Sequence, residues 1–90
     1  MAQGDQGPQL AVRTWLVDTG PFIAYINRRY LAHAAVAARV NEFNGLLVTT
    51  GAVVTEAMYF LADVPDGPAA FAELLVASGT RIVESFDPKQ

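Results

Sequence analysis

Short apolar runs at Trp15-Leu16-Val17, Leu46-Leu47-Val48 and Ile82-Val83 alternate with stretches that have helical spacing. Side chains that are apolar on consecutive positions suit a strand covered on both faces, as in a parallel sheet. The first strand is expected within residues 10–17 and ends at Asp18. Thr19-Gly20-Pro21 breaks it, and Pro21 suits a first helical turn, where its fixed φ fits and no N–H is needed. Phe22, Ile23, Tyr25 and Ile26 continue as a short helix that closes at Asn27-Arg28-Arg29. A second helix is expected over residues 33–43, with Val36, Val40 and Phe43 at i, i+4 and i+7 and Asn44-Gly45 as its stop. Leu46-Leu47-Val48 forms the second strand, which ends at Thr49-Thr50. A third helix runs through Ala62 with Val53, Ala57, Phe60 and Leu61 on one face. Asp66-Gly67-Pro68 opens a fourth, in which Phe71, Leu74 and Leu75 share a face and Ser78-Gly79 ends it. The third strand is expected over residues 81–86.

The order is strand, two helices, strand, two helices, strand. Strands separated by helical crossovers predict an α/β fold with a short parallel sheet and right-handed connections. A length of 90 residues bounds the chain to one domain, read as a flexible tail over residues 1–9 and a single domain over 10–90. At 52% hydrophobic and 17% charged residues, the sequence is too apolar to be disordered. No apolar run approaches the roughly 20 residues of a membrane-spanning helix. The first nine residues carry neither a basic residue nor an apolar run, so no secretory signal is expected. Zero cysteines exclude a disulfide framework, a thiolate zinc site and a cysteine nucleophile. A cytoplasmic location follows as the expectation.

Charge narrows the chemistry further. A net charge of −3 with six basic residues is unlike a passive nucleic-acid coat, which works by Lys and Arg releasing counterions. If phosphate is handled here, a bound metal has to bring it.

Asp18 supplies one candidate ligand, because open α/β sheets place ligands beyond the carboxyl ends of their strands. It is equally placed to cap the first helix, and the two roles are compatible. Glu56 stands on the third helix beside Val53 and Phe60, at the edge of the apolar face. Neighbouring strands lie about 5 Å apart, so Asp18 and Glu56 would face one crevice. Two carboxylates make a hard-oxygen site suited to Mg²⁺ or Mn²⁺. His33, the only histidine, has no nucleophilic partner and reads as packing or capping. Arg28 and Arg29 are candidates for RNA contact, set against the plainer reading of an exposed, solvated pair. Asp18-Thr19-Gly20 also matches the Asp-Thr-Gly of aspartic proteases. Those folds are all-β, whereas the sequence from Pro21 onward is helical, and the protease reading is rejected.

With Asp18 and Glu56 placed, the chain resembles a PIN domain, close to the VapC-type toxins of bacterial toxin–antitoxin pairs. The resemblance rests on Val17-Asp18-Thr19-Gly20-Pro21-Phe22-Ile23-Ala24, His33-Ala34-Ala35-Val36, Leu47-Val48-Thr49-Thr50 and Val54-Thr55-Glu56-Ala57, and covers residues 14–88. It implies a three-layer α/β fold and a ribonuclease whose acids hold Mg²⁺ or Mn²⁺, with an RNA substrate and an antitoxin protein that blocks the site. By matching position Asp18 is the first metal-ligand acid and Glu56 the second, and the Thr19 hydroxyl is placed to bond a ligand or water. The family pattern continues beyond the third strand into a helix, an acid-rich segment and two more strands. This chain ends first, and Asp87 is no substitute. The site is therefore expected to be incomplete, and the fold to lack the family's C-terminal part. One edge of the first strand is expected to stay open, which favours self-association, including a homodimer. The alternative to an enzyme is a truncated, non-catalytic fragment that binds a protein partner or itself.

Overall fold

The computed structural model describes residues 13–86. Three strands and four helices follow in the expected order: β1 (Thr14–Leu16), α1 (Thr19–Ile26), α2 (His33–Glu42), β2 (Leu46–Thr50), α3 (Gly51–Leu61), α4 (Gly67–Ser78) and β3 (Arg81–Val83). The expected tail over residues 1–9, the start of the first strand, and Asp87 lie outside the described residues.

The strands form one parallel sheet in the order β1-β2-β3. Trp15 lies opposite Leu47 and Leu16 opposite Val48, while Thr49 and Thr50 face Ile82 and Val83. Among the described residues β1 pairs on one side only, with β2. Paired residues of a parallel ladder point to the same face, and alternate residues share it. Trp15, Val17 and Leu47 therefore point together, and all three belong to the packed cluster.

The helices complete that cluster with Phe22 and Ile23 from α1, Val53, Ala57 and Leu61 from α3, and Phe71 from α4. Phe71 is fully buried, with its ring centroid 4.9 Å from that of Phe22. Positions 53, 57 and 61 repeat every four residues, which lays one stripe of α3 along the core. Phe60 does not join that stripe as the sequence suggested: it is 52% exposed. Its azimuth, about 60° from Ala57 on a helix of 100° per residue, carries it to the border of the buried face.

Two further expectations change. A strand covered on both faces was expected at Trp15-Leu16-Val17, but Leu16 is 53% exposed. Its side chain points away from the cluster, onto the face where Thr14 and Arg81 are also exposed. The third strand closes at Val83 rather than Phe86, because β2, its partner, ends at Thr50, opposite Val83. The α2 stripe is placed as expected, although Val36, Val40 and Phe43 are half-buried and no α2 residue is fully buried.

Helix ends follow local chemistry. Gly79 sits at φ 67°, its N–H bonding the Val76 carbonyl, while the Thr80 N–H bonds the Leu75 carbonyl at 3.1 Å. This pairing of bonds is the Schellman motif, which a residue without Cβ enters at least cost. Between α3 and α4, a Cβ on Gly67 would stand 2.6 Å from the Leu61 carbonyl oxygen, so only glycine lets the chain turn that closely.

The buried ring and the left-handed cap give two measurable consequences. Phe71→Ala is expected to lower the unfolding free energy by about 3–5 kcal/mol. Gly79→Ala should cost about 1 kcal/mol. Val76→Ser, at a position 83% exposed, should stay within about 0.5 kcal/mol of the parent. Urea unfolding followed by circular dichroism reads all three, and equal midpoints for the Phe71 and Val76 variants would contradict this core.

Candidate functional site

Parallel strands end together, and the carboxyl end of this sheet is where the two acids are built in. β1 delivers its chain to Asp18, whose Oδ1 accepts the Thr19 N–H at 2.8 Å as the N-cap of α1. The capping reading of Asp18 therefore holds. β2 passes directly into α3 through Thr50, whose hydroxyl oxygen accepts the Val53 N–H at 3.1 Å. Glu56 follows one and a half turns along α3.

Thr19 joins the two. Its hydroxyl donates to Glu56 Oε1 at 2.5 Å, so the first residue of α1 holds the acid of α3 while its N–H holds Asp18. Thr19 is itself buried, whereas both carboxylates are exposed. The hydroxyl was expected to serve a ligand or water directly. Instead its proton is committed to Glu56, because α1 and α3 pack against each other and bring the acid within reach. Asp18 Oδ2 and Glu56 Oε2 accept no hydrogen bond among the described residues, so each acid keeps an oxygen for a cation or for water.

A third threonine fixes the frame. Thr49 is fully buried, and its hydroxyl donates to the Val17 carbonyl at 2.9 Å, while the Val17 N–H bonds the Val48 carbonyl at 2.8 Å. The residue just before Asp18 is thus tied to β2 at both polar groups. In the sequence Thr49-Thr50 marks the end of a strand and belongs to the Leu47-Val48-Thr49-Thr50 run, with no role for either hydroxyl. The available signal was a pair of β-branched hydroxyls at a strand-to-helix junction, where one can cap and the other can satisfy a neighbouring strand end.

The other candidates lie elsewhere. Arg28 and Arg29 follow the far end of α1, about 12 Å along its axis from Thr19 at 1.5 Å per residue. Both are exposed, and the Arg29 N–H bonds Asn27 Oδ1 at 3.0 Å, so this turn is not part of the acid pair. His33 Nδ1 lies 2.8 Å from the Ala24 carbonyl. A carbonyl only accepts, so Nδ1 carries the proton and the ring fastens the start of α2 to α1. A cleft of about 300 Å³ opens among Tyr25, Val40, Asn41, Phe43, Leu74 and Ser78, and neither Asp18 nor Glu56 lines it. Among the described residues no group of three or more His, Cys, Asp or Glu side chains is arranged to hold a metal ion.

What this arrangement can do follows from its donors. Two carboxylates with free oxygens, braced by a shared threonine, can hold a hard divalent cation and leave most of its coordination to water or phosphate oxygen. No family model matches the sequence, and no curated protein matches it significantly. No helix among the described residues is long and apolar enough to cross a membrane.

The threonines separate buried from exposed hydroxyl chemistry. Thr49→Val strands the buried Val17 carbonyl and is expected to cost about 1–3 kcal/mol. Thr19→Val leaves Glu56 exposed to water and should cost about 1 kcal/mol or less. Thr49→Ser, which restores a hydroxyl, should recover part of the loss. Chemical denaturation of the three variants checks this order, and a neutral Thr49→Val would remove the frame assigned to that residue.

Proposed function

We propose that the chain is a Mg²⁺- or Mn²⁺-dependent ribonuclease of the PIN-domain, VapC-like type, acting in the cytoplasm. The observation that carries this reading is the junction at Thr19, through which one residue holds both Asp18 and Glu56. The element order, with acids at the carboxyl end of a parallel sheet, agrees with it. Asp18 and Glu56 are the cation ligands. Thr19 acts through Glu56, holding one oxygen and leaving the other for the cation. Thr49 holds the backbone from which Asp18 projects. A bound Mg²⁺ or Mn²⁺ would polarise a phosphate oxygen and acidify a water for attack. The substrate would be RNA, and the protein partner an antitoxin that covers the acid pair.

A second reading, a non-catalytic module that binds a protein or a second copy of itself, draws on a different observation: only two acids are in place among the described residues. A two-carboxylate site holds a cation less firmly than one with more acidic ligands.

Metal titration separates the two. Mn²⁺ at a hundred times its Kd should stabilise the native state by about 2.7 kcal/mol, raising the melting temperature by several degrees. Asp18→Asn and Glu56→Gln should each remove that rise and abolish Mn²⁺-dependent cleavage of RNA. A parent whose melting ignores Mn²⁺ and which leaves RNA intact would favour the binding module.

A further inference from the structure

Beside the acid pair, α3 carries two large aromatic side chains that the core does not use. Tyr59 is 77% exposed and Phe60 52% exposed, with ring centroids 5.5 Å apart in an edge-to-face pair. They stand three and four residues beyond Glu56, the two spacings that flank a position on a helix surface. On a wheel of 100° per residue they fall on either side of Glu56, about 60° and 40° away. A chain of phosphates crossing the acid pair would therefore pass these rings within one helical turn.

The charge around them says what kind of contact they offer. From residue 51 to residue 80 the sequence contains no Lys and no Arg, so α3 and α4 have no cation with which to hold a phosphate backbone. A double helix, bound chiefly through its phosphates, would find little here. An unpaired strand would find more, because its bases expose their faces and stack on aromatic side chains regardless of sequence.

We propose that Tyr59 and Phe60 form a stacking platform for unpaired bases of single-stranded RNA next to the phosphate held at Asp18 and Glu56. The proposal rests on the nuclease reading of that acid pair and adds a binding element to it: the strand is engaged by the ring faces of Tyr59 and Phe60 rather than by positive charge.

The test measures binding without metal or cleavage. A short fluorescein-labelled single-stranded RNA, and the same RNA annealed to its complement, are titrated with protein in EDTA and followed by fluorescence anisotropy. The parent should prefer the single strand. The double variant Tyr59→Ala/Phe60→Ala should bind it about tenfold more weakly or worse, as expected for loss of a stacked base. Tyr59→Phe, which keeps the ring, should bind like the parent, and Tyr59→Leu/Phe60→Leu should resemble the alanine pair. Both positions are exposed, and circular dichroism checks that the variants stay folded. No measurable binding by the parent, or unchanged affinity in the alanine variant, overturns the platform. So does a shift from dimer to monomer in sedimentation with RNA affinity unchanged, which would place a second copy on the rings. Acid-dependent RNA cleavage with ring-independent binding would leave the nuclease and remove the platform. Ring-dependent binding without any cleavage would do the reverse.

Discussion

The end of a strand is a difficult place to bury, because the last carbonyl loses its neighbour in the ladder just as the chain turns away. Here that carbonyl belongs to Val17, which is almost fully buried, and the Thr49 hydroxyl satisfies it. An unsatisfied buried acceptor would cost about 1–3 kcal/mol, a large share of the stability of a small domain. One hydrogen bond thus permits β1 to end inside the core and Asp18 to emerge from it at a fixed point. The adjacent hydroxyl, on Thr50, starts α3. Two neighbouring threonines therefore set the origin of both chain segments that carry an acid.

The convergence of Asp18 and Glu56 also has to be stable without a cation. Two like charges held by one residue repel each other. Thr19 opposes this by giving a donor to each acid, its N–H to Asp18 and its hydroxyl to Glu56. Hydrogen bonds to charged acceptors are stronger than neutral ones. Because each acid is held at one oxygen only, the brace fixes position without consuming the second oxygen. On the proposed reading, the second oxygen of each acid would then be left for a hydrated divalent ion.

The element order was readable because each break in the chain is chemically explicit: Asp18 to Pro21, Asn44-Gly45, Asp66 to Pro68, and Ser78-Gly79. The buried residues of α3 were readable from their four-residue spacing. What escaped was exposure at the margins. Nothing local distinguishes Leu16 from Trp15, since the difference lies in which sheet face the helices cover. Phe60 looks like a core residue by type and is displaced by its azimuth. At the site, the two acids were readable from their place relative to the strand ends. The destination of the Thr19 hydroxyl was not, because it depends on how closely α1 packs against α3, a contact between residues 37 positions apart.

Where the basic residues sit bears on how such a site meets an anion. Arg39 lies over the Trp15 ring at 5.2 Å and Arg13 over the Phe43 ring at 5.6 Å, with the two rings themselves in edge-to-face contact. These guanidiniums cover the aromatic seam between β1 and α2, where cation–π attraction and their apolar stems contribute to packing. Arg28 and Arg29 stand beyond the far end of α1, and Arg81 begins β3 level with Leu16, two strands across the sheet. In water a lone carboxylate pair repels phosphate, and screening removes only its long-range part. On the proposed reading, attraction would come from a cation between the acids or from contacts that carry no charge, and the exposed rings of α3 offer the second kind.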